Sequence, residues 1–249
     1  MRRRSAPQSR SRCILDVTAE PMLAPPIGVA ARAAVTLEHS QLGDALYVAA
    51  KRALDVLVAT TLLIALLPLF AIVGLAICME SGRPIFYRGE RVGRLGRSFT
   101  VVKFRSMRPK ADETPHIVFI RSLMRDGATP CELYKVAKDP RITRLGGFLR
   151  RTSIDELPQL WNVLRGEMSL VGPRPDVPYA VADYPDRLYG RLLVKPGITG
   201  LWQVSGRSRL SLQDMYRLDL DYVAEASLAL DLRILARTVP AVLSRDGAA

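Results

Sequence analysis

The stretch Val56-Leu-Val-Ala-Thr-Thr-Leu-Leu-Ile-Ala-Leu-Leu-Pro68-Leu-Phe-Ala-Ile-Val-Gly-Leu-Ala-Ile-Cys-Met79 carries no charge. At about 24 residues it is long enough to span or enter a bilayer. Lys51, Arg52 and Asp55 lie just before it, and Pro68 interrupts it near the middle. An interior proline removes one backbone hydrogen bond and crowds the preceding turn, so it kinks or breaks a helix. A spanning helix with a kink and a helix that bends back, leaving both ends on one membrane face, both satisfy the backbone. A buried core helix fits less well, because the run is apolar on every side. Cations flank both ends, so charge bias does not choose a topology.

Outward from this run, the 249 residues suffice for one domain with a real core plus attachments. Lysine and arginine number 36 against 24 acids, a formal charge of +12. That balance favours a phosphorylated or polyanionic partner or an anionic lipid surface. Cys13, Cys78 and Cys131 are widely spaced, which fits a reduced compartment and excludes a thiolate metal framework. His39 and His116 stand alone and read as surface residues. Upstream, arginines alternate with Ser, Pro and Gln, so residues 1–46 are expected to be a disordered basic leader. No apolar core with a cleavage site follows those arginines, which rejects a secretory signal. Residues 47–80 are expected to form a membrane segment and 81–249 a separate domain.

Downstream, two β-type runs flank the Gly- and Arg-rich segment Glu90-Arg91-Val-Gly93-Arg94-Leu-Gly96-Arg97 and predict a hairpin, either simply basic and solvated or in contact with phosphate. Residues 108–138 read as a variable insertion. Thr152-Ser-Ile-Asp155-Glu156-Leu-Pro158 begins a helix with two adjacent carboxylates among Arg150, Arg151, Arg165 and Arg174. Ser153 and Glu156 match a capping box, in which their side chains satisfy free amides at a helix start; Asp155 as the cap is the alternative, with Pro158 in the first turn. An ionised carboxylate there can also attack phosphorus or hold Mg²⁺. Arg174, between Pro173 and Pro175, is held rigidly and reads either as part of a surface turn or as a bidentate phosphate binder. The glycines between Lys195 and Arg207 suit a loop folded around a nucleotide. Leu228, Leu232, Leu235, Val239 and Val242 form a helical stripe, for the core at its start and core or membrane interface at its end.

Several segments occur in an order that resembles one family: Lys51-Arg52-x-x-Asp55, Pro68, Arg91-Val-Gly93, Lys103-Phe-Arg105-Ser-Met107, Asp139-Pro-Arg141-Ile-Thr143, Asp155-Glu156-Leu-Pro158-Gln159, Gly172-Pro173-Arg174-Pro175, Lys195-Pro-Gly197-Ile-Thr199-Gly200 and Gly206-Arg207. They are similar to the bacterial sugar transferases, the monotopic phosphoglycosyl transferases, and most similar to exopolysaccharide-priming members. The resemblance covers about residues 48 to 245. Gly89, Asp176 and Val101 stand where many relatives differ, which leaves sugar preference open.

The resemblance implies an α/β, predominantly helical fold: a re-entrant hairpin bent at Pro68, a small sheet, and amphipathic helices at the inner membrane's cytoplasmic face. It implies transfer of a hexose 1-phosphate from a UDP-sugar to undecaprenyl phosphate, with release of UMP, Mg²⁺ dependence and a covalent phosphosugar intermediate. Asp155 would be the nucleophile, and Glu156 would assist with metal or proton handling. Lys103, Arg105, Arg141, Arg151, Arg174, Lys195 and Arg207 would bind substrate. The chain would be a short-form enzyme without the N-terminal spanning helices of large relatives. A non-enzymatic basic membrane adaptor is the alternative, with the acid pair merely capping a helix. Nucleic-acid binding would explain the charge but not the apolar run, and is not expected. Self-association stays open.

Overall fold

The computed structural model describes residues 45–108, 114 and 141–244. The basic leader, the insertion, His39, His116, Cys13, Cys131 and Asp139 lie outside the described residues. The described chain is mostly helical with two small two-stranded sheets.

The apolar run forms two helices, α1 (Ala45–Ala65) and α2 (Leu67–Ser81), bent by 60° at the break between them. Pro68 falls in the first turn of α2, where its missing N–H has no helical partner to lose. No single described helix is long and apolar enough to cross a membrane, and the bent pair passes that test only when its two members are taken together. Leu57, Ile64, Leu67, Ile72, Leu75 and Met79 are all exposed along the pair.

The first half of α1 belongs to the protein's core. Lys51 Nζ bonds Asp231 Oδ2 at 2.8 Å and the Val171 carbonyl at 3.1 Å. Arg52 donates to the carbonyls of Val163 and Leu164. The Asp55 carboxylate accepts from Ser169 Oγ and the Leu170 amide. These polar residues just ahead of the apolar run thus hold three separate downstream segments.

The predicted hairpin is present. Strands β1 (Phe86–Val92) and β2 (Ser98–Phe104) pair antiparallel, with Phe86 opposite Phe104 and Val92 opposite Ser98. Helix α3 (Arg144–Arg151) follows, capped by Thr143, whose hydroxyl accepts from the Gly146 amide. A 3₁₀ turn (Ile154–Gln159) leads into α4 (Leu160–Arg165), which Gly166 ends in the left-handed conformation. Strand β3 (Ser169–Val171) then pairs in parallel with β4 (Gly197–Thr199). Helix α5 (Pro178–Ala182) and a second 3₁₀ segment (Asp186–Leu193) connect them. Short α6 (Leu201–Ser205) precedes α7 (Leu212–Glu225) and α8 (Leu228–Leu243), capped by Ser211 and Ser227.

The largest core cluster joins Ala59 of α1, Val101 of β2, Leu160 and Val163 of α4, Val171 of β3, Tyr222 of α7 and Ile234 of α8. Helix α8 corrects the predicted stripe. Its buried residues are Leu230, Asp231 and Ile234; Leu228 and Leu235 border the core, while Leu232 and Val239 are exposed. The reason is polar. Asp231 is fully buried among Lys51, Tyr47 and Tyr222, and satisfying that carboxylate sets the helix's rotation.

Gly197, in the Lys195–Arg207 segment, serves packing between strands. A Cβ on Gly197 would lie 2.1 Å from the Gly172 amide nitrogen, and one on Gly172 would lie 2.4 Å from the Lys195 carbonyl. Only bare backbone permits β3 and β4 to approach this closely.

Candidate active site

The acid pair sits at the start of the 3₁₀ turn, directly after Ser153, which adopts φ +57°. That left-handed residue reverses the chain out of α3 and replaces the expected capping box. Neither Ser153 nor Asp155 makes a side-chain cap: the Glu156 amide bonds the Ser153 carbonyl. The Glu156 side chain turns instead toward cations.

Glu156 Oε1 accepts from Lys103 Nζ at 2.7 Å. Arg174 grips the same carboxylate with both terminal nitrogens, at 2.6 Å to Oε1 and 3.1 Å to Oε2. Burial alone would disfavour its charge, but Arg174 and Lys103 overcome this and hold Glu156 well below the usual carboxylate range. Burial pulls Lys103 below its ordinary value, against the pull of Glu156.

Asp155 is the opposite case. It is 8% exposed, and no hydrogen bond or ion pair engages its carboxylate among the described residues. Burial, and then the charge of Glu156, push it up to about 6, while Lys103, Arg174 and Arg150 pull the other way. The site thus holds one carboxylate saturated by cations and a second, unpartnered one beside the same cations.

Three devices place these groups. Asn162, fully buried on α4, accepts from the Val102 amide at 3.1 Å and donates to the Thr100 carbonyl at 2.7 Å. It therefore locks the strand bearing Lys103 to the helix that follows the acids. Lys51 and Asp55 hold β3, which feeds the Gly172-Pro173-Arg174-Pro175 turn. Behind that turn, the buried Arg191 donates to the Arg174 carbonyl at 2.9 Å, and to Asp176, Asp219 and the Tyr184 hydroxyl.

The other residues named from the sequence divide. Arg207 lies within electrostatic reach of Glu156. Arg105 is buried with Nη2 bonded to Ser81 and Gly82 at the end of α2, an arrangement that braces that helix; among the described residues its Nε and Nη1 have no hydrogen-bond partner. Arg141 is half-buried just before α3, its carbonyl bonded by the Arg108 amide. Arg151 is exposed on the last turn of α3. Lys195 stands with Arg52, Asp55 and Arg94, beside Gly166 at the opposite end of the helical stretch that the acid pair opens. Sequence reasoning missed Asn162 and the anchoring network of Arg191. A buried amide and a buried arginine leave no periodic pattern, and only their partners reveal them.

The metal expectation can be tested against the donors. Glu156 has both oxygens engaged by nitrogen donors, whereas Asp155 offers a free hard oxygen. Among the described residues no cluster of three or more metal-ligating side chains occurs. Asp155 fits Mg²⁺, which takes one or two carboxylates together with substrate phosphates; Glu156 in this arrangement does not.

Comparison with known proteins agrees with this geometry. The family model for the bacterial sugar transferases matches residues 46–245. The UDP-galactose-lipid carrier transferase of Erwinia amylovora is 46% identical over 198 residues, covering 80% of this chain and 41% of that protein. The undecaprenyl-phosphate galactose phosphotransferase of Salmonella typhimurium is 42% identical over 80% of this chain and 41% of its own length. The exopolysaccharide production protein ExoY of Rhizobium meliloti is 41% identical, covering 79% of this chain and 87% of the relative. The chain thus spans less than half the length of the first two relatives and most of the third. With its family model running from the root of α1 to the end of α8, this chain belongs to the bacterial sugar transferase family.

Proposed function

We propose that the chain transfers a hexose 1-phosphate from a UDP-sugar to undecaprenyl phosphate, releasing UMP and initiating exopolysaccharide or capsule synthesis. The observation that carries this reading is the contrast within the acid pair: Glu156 tied down by Arg174 and Lys103, Asp155 unpartnered beside them. The names of the Salmonella and Erwinia relatives point to the same lipid acceptor and nucleotide donor classes.

The chemistry follows from those positions. An Asp155 oxygen attacks the phosphorus that bears the sugar. The bond from that phosphorus to the oxygen bridging toward uridine breaks, and UMP leaves with the electron pair. The phosphosugar is now an acyl phosphate on Asp155. An oxygen of undecaprenyl phosphate then attacks the same phosphorus, forming the lipid diphosphate sugar and restoring the Asp155 carboxylate. Lys103 and Arg174 stabilise charge on the transferred phosphoryl group, and Glu156 fixes both cations in place. Mg²⁺ held by Asp155 and the diphosphate would supply charge neutralisation.

The exposed apolar faces of α1 and α2, meeting at a 60° bend, support entry into the inner membrane from its cytoplasmic face without crossing it. That depth would bring a lipid-borne phosphate to the site. The test is direct. The protein is incubated with a panel of UDP-sugars in vesicles, and UMP release is measured; without lipid acceptor, a phosphosugar adduct is sought on the Asp155 peptide by mass spectrometry. The wild type should form the adduct with one or two sugars, and Asp155→Asn with none. Full UMP release by Asp155→Asn would remove Asp155 as the nucleophile.

A further inference from the structure

A second group of cations gathers beside Gly166, at the opposite end of the helical stretch that the acid pair opens. Lys195 Nζ and Arg52 Nη2 each stand 3.6 Å from the point that a Cβ on Gly166 would occupy. Gly166 has φ +78°, a left-handed turn that favours glycine, and a Cβ there would make ordinary van der Waals contact with both cations. Arg94, at the tip of the β1–β2 hairpin, is brought alongside by its bond to the Leu193 carbonyl at 3.1 Å.

The compensation of these charges is incomplete. Arg52 and Arg94 spend their donors on neutral carbonyls, and Lys195 makes no hydrogen bond or ion pair among the described residues. The nearby acid, Asp55, is committed to Ser169 and Leu170, and nearby Lys51 is paired with Asp231. Burial, and then the charge of Arg52, pull the Lys195 ammonium below its ordinary value, with Arg94 and Lys51 adding to the effect and Asp55 opposing it. Holding unpaired cations half-buried is unfavourable unless an anion completes the set. The largest cationic influences on Asp155 and Glu156 come instead from Lys103, Arg174 and Arg150, and the acids open the helical stretch that Gly166 closes.

We propose that Lys195, Arg52 and Arg94 form a phosphate-binding site separate from the acid pair. Three cations converging from a helix, a hairpin tip and a strand entry suit a tetrahedral oxyanion, which can accept from several directions. Arg52 lies one turn before the apolar run begins at Val56. If that run meets a bilayer, as proposed above, the site lies at the depth of lipid phosphates, and an anionic headgroup is the nearest source. Free phosphate shares the chemistry.

The experiment uses the full chain in nanodiscs containing phosphatidylglycerol and phosphatidylcholine, with retained lipids counted by native mass spectrometry. In parallel, the thermal shift produced by inorganic phosphate is measured against chloride at equal ionic strength. The wild type should enrich phosphatidylglycerol, and Lys195→Gln should lower that enrichment about fivefold, the worth of one cation near a lipid surface. Lys195→Arg should keep it, which controls for folding. If only the phosphate shift is lost in Lys195→Gln, the site stands and its source is free phosphate. Equal responses in wild type and Lys195→Gln, or none in the wild type, overturn the site. Asp155→Asn should keep the full response even if it proves irrelevant to transfer, so the two readings fail independently; loss in that variant would overturn the separation of the sites.

Discussion

Arg174 meets Glu156 end to end, both terminal nitrogens on both carboxylate oxygens, at 2.6 and 3.1 Å. A fork of this kind fixes the guanidinium plane as well as its position. Arg174→Lys keeps the charge but gives up the fork. UMP release in vesicles should fall about 100-fold, the scale of losing one aligned donor at a reacting phosphoryl group. Turnover within twofold of wild type would show that the plane of Arg174 is irrelevant.

Asn162 supplies both hydrogen-bonding partners that β2 presents on one edge, the Val102 amide and the Thr100 carbonyl. Asn162→Leu leaves both part-buried groups without this partner. Denaturant unfolding should show a loss of about 2 to 3 kcal/mol, and amide exchange at Val102 should accelerate more than exchange at Val223 on α7. Uniform acceleration of both would argue against a local tie.

One guanidinium, Arg191, is shared between Asp176 and Asp219. Burial disfavours charge on both acids; Arg191 and the Tyr184 hydroxyl overcome it at Asp176, while burial pushes Asp219 up to about 7. Between the ordinary value near 3.8 and that of the folded protein, the native state holds more protons than the unfolded chain. The contribution of Asp219 to stability therefore falls as pH rises through this window and is level above it, with a slope of up to about 1.4 kcal/mol per pH unit. Unfolding free energies of wild type should fall more steeply than those of Asp219→Asn by this amount from pH 5 to about 7, and the two should run parallel above the window.

Lys51 lies against the buried Asp231 at 2.8 Å. Lys51→Ala strands that carboxylate and should cost about 3 kcal/mol in unfolding free energy. Adding Asp231→Asn removes the stranded charge and should recover part of the loss. Recovery of nothing would mean that the packing of the lysine stem, and not the charge, carries the effect.

What the sequence disclosed, and what it hid, follows physical lines. The apolar run, the hairpin around Gly93 and the acid pair were legible because each rests on local pattern: length, alternation, adjacent charge. The helix start at Asp155 was misread because Ser153 takes a left-handed conformation that its side chain does not advertise. The core face of α8 was misread because a single carboxylate, Asp231, outweighs a stripe of leucines once Lys51, Tyr47 and Tyr222 surround it. The grouping of Lys103, Arg174 and Glu156 depends on contacts across 53 and 18 residues, which no window of sequence contains.

The rooting of α1 carries a consequence for handling the protein. Its first turns supply Tyr47 and Ala59 to the main core and hold both the strand before Arg174 and the end of α4. Trimming the chain back to residue 81 to remove its exposed apolar stretch would extract a beam from the building along with the cladding. A less apolar version must keep α1 through Ala59 and instead exchange the exposed apolar side chains beyond it for polar ones.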